Sequence, residues 1–508
     1  MGYRQIILKL PTDFDSTFLK KKIAQKSGLK DFSYVIENKS LDARNKNNIH
    51  WEVRVHVQSA AIKQEAPFQK PELVIPRKKR DKRVVVVGSG PAGFFAAFVL
   101  QQAGFSTTLI ERGTDVTKRT EGILRFESTA IFDPLSNYAY GEGGAGTFSD
   151  GKLTSRSKRI SAEKKFILSS YVKAGAPKEI EYMTHPHLGT DNLKLIVPIL
   201  REQFIELGGT FLFETLVSDI KEKNGKVVHV ETNRGAIEAD YFFIAPGHSA
   251  YDTYRMLIKR NVKFHSKNFA IGSRMEHRQE IINIAQLGKP SLPGVKAAEY
   301  RLTSKGDGNH QVYSFCMCPG GVIVPATAVK EANIVNGMSR FFRDEYYANA
   351  ACVATLNLEK MLKRSISAQE VLDWMEKLEN RFYEFSNEYK APFCSIRDFI
   401  NKKITGGETK SSYPMGTVQA PLWEMLPAET AVAMQAGLKD FIRKMKGFET
   451  GNILGLESKT SAPIQVDRDK EGKCIGFDNL FVIGEGSGYA GGIISSAADG
   501  VKVAMGIC

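Results

Sequence analysis

The run RVVVVGSGPAGFFAAFVL, residues 83–100, narrows the possible folds more than any other feature of the chain. Four consecutive valines make a strand buried on both faces, as in a parallel sheet covered by helices. Gly88, Gly90 and Gly93 then fill a GxGxxG turn, and Pro91 and Ala92 open the apolar helix that follows. In such a turn the first glycine permits the tight bend, the second lets backbone approach a pyrophosphate, and the third lets helix and strand pack closely. The helix start turns free N–H groups and the positive end of its dipole toward the same place. The strand TTLIE completes a β-α-β unit and ends in Glu111, 18 residues beyond Gly93, with Arg112 next to it. An acid there can bind ribose hydroxyls, and its charge repels a 2′-phosphate.

A second glycine-rich segment, LFVIGEGSGYAGGIISSAADGVKVA, repeats strand, turn and helix at the far C-terminus. A late strand and helix returning beside the first phosphate loop argue for FAD over NAD. Gly484 and Glu485 take a position commonly held by Gly-Asp, and Gly491, Gly492 and Ile493 would set N–H groups where negative charge develops on a flavin. Between the two segments lies GEGGAGTFSDGKL, residues 141–153, whose glycines let it lie flat along a cofactor. Its candidate contacts are Gly144, Ala145, Gly146, Thr147, Ser149, Asp150, Gly151 and Lys152, with Thr147, Ser149 and Lys152 as donors to flavin or phosphate oxygens.

A chain of 508 residues exceeds one core, and 42% hydrophobic with 25% charged residues excludes a fibrous or disordered protein. The predicted class is α/β: a Rossmann-like FAD-binding domain in two chain segments, with an inserted α+β substrate domain and a small ferredoxin-like N-terminal domain. Residues 1–60 form the N-terminal domain, and 61–82, with Pro67, Pro71, Pro76 and RKKRDKR, an extended solvated linker. The first FAD segment spans 83–268, the inserted domain 269–451 and the second FAD segment 452–508. A net charge of +14 suits anionic partners without selecting one. The opening residues lack a secretory pattern, no apolar run of about 18 residues follows, and six scattered cysteines make no disulfide framework. A cytoplasmic address and no membrane partner are expected.

Chemistry beyond the flavin is assigned to Cys316 and Cys318 in SFCMCPGG, where a thiolate could pass electrons to a flavin. Two residues apart on a strand, they share a face without easily forming a disulfide. Arg274 and Glu276 in AIGSRMEH would share a strand face, either as substrate contacts or as an ordinary surface ion pair, with His277 opposite. His248 reads as structural, and His185 and His187 lack further ligands, so no metal is expected.

The segments ESTAIFDPLSNYAYGEGGAGTFSDGKL, APGHSAYDTY, SFCMCPGGVIVPAT, NGMS and GEGSGYAGGIISSAADG, together with KSLDARNK near the start, resemble the bacterial FAD-dependent dehydrogenases within the glutathione-reductase-like flavoprotein superfamily. The resemblance spans nearly the whole chain and implies the FAD fold, while that group's substrate is generally unassigned. It also implies that Val217 meets the adenine through its backbone and that Pro246 and Gly247 lie near the adenosine half.

The resulting expectation is an FAD-dependent oxidoreductase moving hydride or electrons between bound flavin and a small, anionic organic substrate. With one complete dinucleotide fingerprint, NAD(P)H can serve as a transient donor only without a Rossmann site of its own. A flavin-dependent RNA-modifying enzyme is the rival, carried by the basic charge and by Lys39, Arg44 and Lys46, although nucleic acid is not the expected partner. A flavin redox sensor without turnover is the third reading.

Overall fold

A computed structural model describes residues 2–63, 71–155, 157, 159–386, 388–406 and 410–508. Strand Arg83–Val87 is the centre of a five-stranded parallel sheet ordered Leu480–Val482, Tyr241–Ile244, Arg83–Val87, Ser106–Ile110, Thr210–Leu212. Val84, Val85 and Val86 are buried, with helix Pro91–Gln102 over one face of the sheet and a three-stranded antiparallel sheet of residues 217–238 over the other. Helix Pro91–Gln102 starts on a proline, where the missing N–H has no intrahelical partner to lose. Every residue from Ala92 to Leu100 is buried, since the sheet covers one side and helix Ile493–Met505 the other. A Cβ at Gly500 would stand 2.1 Å from the Ala92 carbonyl oxygen, so glycine sets how closely the two helices approach. The first and last glycine-rich segments are thereby packed together.

The region after Phe269 is built on a seven-stranded sheet ordered Thr303–Ser304, Val312–Cys318, Tyr347–Leu356, Phe269–Arg278, Asn452–Glu457, Ala391–Ser395, Thr417–Gln419. All its pairings are antiparallel except the last. Helices Ala368–Ser386 and Ala428–Lys444 pack against it. This corrects the expected return to the FAD segment at residue 452. Asn452–Glu457 is a central strand of the inserted sheet, buried from Ile453 to Glu457, and the chain rejoins the parallel sheet only at Leu480.

The N-terminal unit has strands Gly2–Leu10, Ser33–Asp42 and His50–Ser59 in one antiparallel sheet, with helix Ser16–Ser27 on it. A full ferredoxin-like unit carries a fourth strand and a second helix. Among the described residues this unit has neither, because the chain leaves the sheet after Ser59. The unit is clamped to the rest of the protein: Lys39 N–H donates to the Tyr182 carbonyl at 2.8 Å and Thr184 N–H to the Lys39 carbonyl at 3.0 Å. Residues 71–82 of the linker are extended and mostly exposed, with Leu73, Ile75 and Arg80 half-buried, while residues 64–70 lie outside the described residues. Arg80 N–H donates to the Gly104 carbonyl at 3.1 Å, Arg80 Nε to the Ala103 carbonyl at 3.2 Å, and the guanidinium lies 4.8 Å from the Phe105 ring centre. Part of the basic run therefore caps the C-terminal end of helix Pro91–Gln102, where cations are favoured. Among the described residues, no helix is long and apolar enough to cross a membrane.

Candidate functional site

The three glycines of the first turn differ in what surrounds them. Gly88 adopts φ +99°, and a Cβ there would lie 2.3 Å from the Ala245 carbonyl oxygen; one at Gly93 would lie 1.9 Å from that of Gly88. Both are close backbone approaches. Gly90 has an ordinary φ of −63°, and its Cβ would meet only the Gly144 Cα, at 3.8 Å. Gly90 thus borders an open gap. The other glycine-rich segments close around it, as ideal Cβ positions show: Gly144 against the Gly90 Cα at 2.9 Å, Gly146 against Ile493 at 3.2 Å, Gly484 against the Ala92 Cβ at 2.4 Å, and Gly486 against Pro246 at 2.5 Å. Cβ atoms at Gly247 and Gly492 would meet nothing within 4 Å. Two helices begin at this gap, Pro91–Gln102 and Ile493–Met505, both without a capping side chain. Glycine walls and uncapped helix N-termini fit the pyrophosphate and flanks of FAD. A small cavity of about 30 Å³, partly open, continues from Ser89, Pro91 and Ile493 toward the apolar Phe94, Phe95 and Leu193.

Several predicted contacts are occupied by the protein itself. Glu111 Oε2 accepts from Ser89 N–H at 2.9 Å and Ser89 Oγ at 2.7 Å, and Oε1 from Gly113 N–H at 2.9 Å and Gly141 N–H at 3.1 Å. The carboxylate therefore fastens the phosphate turn to the 141–153 loop, and ribose hydroxyls would have to share it. Arg112 pairs with both oxygens of Asp252, at 3.0 and 2.7 Å, over the Tyr140 ring. Thr147 Oγ1 donates to the Glu142 carbonyl and Ser149 Oγ to that of Gly146, so neither is the free donor expected. Asp150 is a correction too: it is buried, takes Arg343 at 3.1 and 2.7 Å and accepts from Ser339 Oγ. Val217 starts a separate three-stranded sheet beside Glu111, since Thr215 N–H donates to the Glu111 carbonyl at 3.0 Å.

Arg274 and Glu276 are not a surface pair, and they do not pair with each other. Both lie on strand Phe269–Arg278 and are at most 1% exposed. Arg274 Nε donates to Asn349 Oδ1 at 2.9 Å. One terminal nitrogen donates to Glu457 at 2.8 Å and Asn336 at 3.2 Å, the other to the Cys316 carbonyl at 2.6 Å and Cys318 Sγ at 3.5 Å. Every donor is engaged, which removes Arg274 from substrate anchoring. Glu276 accepts from Ser412 N–H and Oγ, and burial pushes its pKa up.

The strand pattern assumed for Cys316 and Cys318 also gives way. Strand Val312–Cys318 bulges between Phe315 and Cys318, and Cys316 adopts a left-handed φ of 43°. At that break in alternation Cys318 Sγ donates to the Cys316 carbonyl at 3.4 Å. The Cys318 thiol, then Lys152 and Arg274, hold the Cys316 pKa down against burial, while Cys318 is pushed up. Lys152 keeps 28% of its side chain accessible, and Cys316, His248 and Glu485 are likewise only partly covered although they lie deep in the protein. Burial raises the Glu485 carboxyl to about 8 against Lys267 and the Gly492 N–H. It lowers His248 to about 3, with Lys459 adding to the effect.

His187 Nε2 lies 2.9 Å from the Phe341 carbonyl, and burial pulls its pKa to about 4. His185 pairs with Glu299 at 2.7 Å. The Lys39 ammonium sits 4.4 Å from the Trp51 ring and Arg44 pairs with Asp42, which leaves these two residues of the basic set already engaged. Glu457, Arg343 and Arg119 were not visible as site residues in the sequence. None sits in a glycine motif, and their partners come from remote segments.

Comparison with known proteins follows these divisions. Residues 82–254 match the pyridine nucleotide-disulphide oxidoreductase family and residues 268–460 the family "FAD-dependent protein, C-terminal domain-like". The second match ends just after strand Asn452–Glu457. An uncharacterized protein of Clostridium beijerinckii is 38% identical over 536 residues, covering 99% of this chain and 98% of that one. The glutamate synthase [NADPH] small chain of Bacillus subtilis is 46% identical over 52 residues, 10% of each chain. Among solved structures, flavin-dependent brominase Bmp2 has a TM-score of 0.38 at 12% identity, covering 83% of this chain and 77% of its own. Glycine oxidase from Bacillus cereus has a TM-score of 0.33 at 11% identity, covering 84% and 94%.

Proposed function

We propose, from the premise that this chain belongs to the family it shares with the Clostridium beijerinckii protein and is an FAD-dependent oxidoreductase, that it exchanges two electrons between FAD and a small organic substrate on the side where Cys316 and Lys152 remain partly accessible. The observation that carries this reading is the meeting of four glycine-bearing segments, residues 88–93, 141–146, 246–247 and 484–493, at one gap. Bound there, FAD supplies hydride chemistry at its N5 atom. Gly88, Gly90 and Gly93 with helix Pro91–Gln102 hold the pyrophosphate. Gly491, Gly492 and Ile493 place the start of helix Ile493–Met505 where negative charge would be stabilised. Glu485, with its carboxyl raised to about 8, keeps a proton at neutral pH and can donate it. Cys316, its pKa held down, is the thiolate and Cys318 the thiol, and closing them to a disulfide releases one proton and two electrons. Residues 83–268 and the returning C-terminal segment form the cofactor domain, and the inserted sheet supplies the substrate side.

Purified protein should carry FAD noncovalently. Denaturation should release FAD quantitatively, and release of FMN alone would defeat the assignment. Substrates are found by screening anaerobically for compounds that bleach the yellow protein. With such a compound in hand, Cys316→Ser should keep the flavin spectrum and lose most substrate-driven bleaching, about 100-fold in rate, because a hydroxyl is a far poorer redox group than a thiolate. Bleaching at wild-type rates in both Cys316→Ser and Cys318→Ser would remove the cysteines from the chemistry. Stopped-flow absorbance reads the rates, and thermal melts separate folding damage.

A further inference from the structure

Helix Val116–Thr129 sends Arg119 beneath the loop that crosses Gly90. The side chain is 0% exposed, and no carboxylate pairs with it directly. Four of its N–H groups donate to main-chain carbonyls: Nε to Asn137 at 2.8 Å, one terminal nitrogen to Glu142 at 2.9 Å and Gly144 at 2.8 Å, and the other to Tyr138 at 3.0 Å. The guanidinium stacks over Phe148 at 4.6 Å. A Cβ at Gly141 would stand 2.6 Å from Arg119 Cδ, so the loop needs glycine to pass the side chain. Burial lowers the pKa to about 10, which leaves the group charged at neutral pH.

The peptide plane turns this anchorage outward. In a trans peptide the N–H points opposite the carbonyl, so drawing in the carbonyls of Glu142 and Gly144 turns the N–H groups of Gly143 and Ala145 away from Arg119. The same stretch touches Gly90, because a Cβ on Gly144 would lie 2.9 Å from the Gly90 Cα. Oriented loop dipoles and a buried positive charge thus back the gap that helix Pro91–Gln102 faces with its own N-terminus.

We infer that Arg119 is a positioning residue for the pyrophosphate of the cofactor: it draws the carbonyls of Asn137, Tyr138, Glu142 and Gly144 inward, turns the N–H groups of Gly143 and Ala145 toward the anion, and keeps a positive charge behind them. The inference rests on the FAD reading of this gap. It says that the pyrophosphate, more than the isoalloxazine ring, depends on Arg119.

Flavin-stripped wild-type protein, Arg119→Lys and Arg119→Met are compared by titration with FAD, ADP and riboflavin, with thermal melts as the check on folding. Lysine keeps the charge but loses the planar fork, so FAD and ADP should bind about 10-fold more weakly. Methionine loses both, and the weakening should reach about 100-fold. Riboflavin, which has no pyrophosphate, should bind all three proteins alike, a pattern that simple loosening of the fold does not produce. Wild-type affinity for FAD and ADP in folded Arg119→Met, or equal losses for riboflavin, would overturn the inference. If Arg119→Met does not fold, Arg119→Lys decides: unchanged FAD and ADP affinities overturn the inference, and a joint loss that spares riboflavin supports it. Wild-type protein that binds ADP but not FAD would defeat the flavin reading, while the ADP comparison would still decide the role of Arg119.

Discussion

Gly90→Val folds like the wild type and does not hold FAD. The expectation rests on the difference among the three glycines of one turn. At Gly88 and Gly93 a side chain would run into backbone oxygens at 2.3 and 1.9 Å, so those positions are needed for the protein to pack at all. At Gly90 the backbone lies in a region open to any residue, and a Cβ meets only the Gly144 Cα, at 3.8 Å. The empty protein can therefore accept valine at little cost. The cofactor cannot, because the valine methyl groups occupy the space through which a pyrophosphate reaches the helix N–H groups. FAD affinity should fall by about 100-fold or more, roughly 2.8 kcal/mol. Gly93→Val should instead lower stability by about 3 kcal/mol, as overpacking against backbone does. Flavin content after purification, FAD titration of stripped protein and denaturant melts read the two effects separately. A folded Gly90→Val that keeps wild-type FAD affinity would place the pyrophosphate elsewhere.

The same glycines show what the sequence could and could not disclose. Local patterns found the parallel strand, the glycine turn that follows it, the return of the C-terminal segment and the glycine-rich 141–153 loop, because each depends on a glycine spacing or an apolar run within a few residues. They missed the edge of the inserted region, since NILGLE is as apolar as any parallel strand and only its partners reveal that it completes the antiparallel sheet. Side-chain roles were less legible. Glu111 stands where a ribose ligand belongs, yet its lone pairs are taken by Ser89, Gly113 and Gly141, residues that only folding brings near it. Arg274 and Glu276 sit two apart on one strand, which suggests a pair. Arg274 instead finds Glu457 on the neighbouring strand, and Glu276 finds Ser412. Alternation predicts a shared face. It does not predict which of several buried acids is closest, and a bulge such as the one at Cys316 cancels alternation altogether.

Arg274→Met should cost about 3–5 kcal/mol, and more of that cost should appear at pH 8 than at pH 5. Glu457 is fully buried and its Oε1 lacks a hydrogen-bond partner, so the Arg274 guanidinium at 2.8 Å is what sustains its charge. Burial already raises the Glu457 pKa from 4.5 to about 7 with Arg274 in place. Between those values the folded state binds more protons than the unfolded one, so this group lowers stability as pH rises through the window. Without Arg274 the folded pKa rises further and the window extends upward. At pH 8 the variant must either bury an unpaired carboxylate or take up a proton that the unfolded chain does not hold. At pH 5 the carboxyl is largely protonated when folded and the penalty shrinks toward the loss of the hydrogen bonds to Asn336, Asn349 and the Cys316 carbonyl. Adding Glu457→Gln to Arg274→Met should recover stability at pH 8 and change little at pH 5, which urea melts at the two pH values measure. A pH-independent loss would mean that Arg274 contributes through packing alone. Removing the guanidinium also takes away a donor to Cys318 Sγ and a cation that holds the Cys316 pKa down. The pH at which Cys316 is alkylated by iodoacetamide should therefore move upward in the folded double variant, linking a buried ion pair to thiol reactivity.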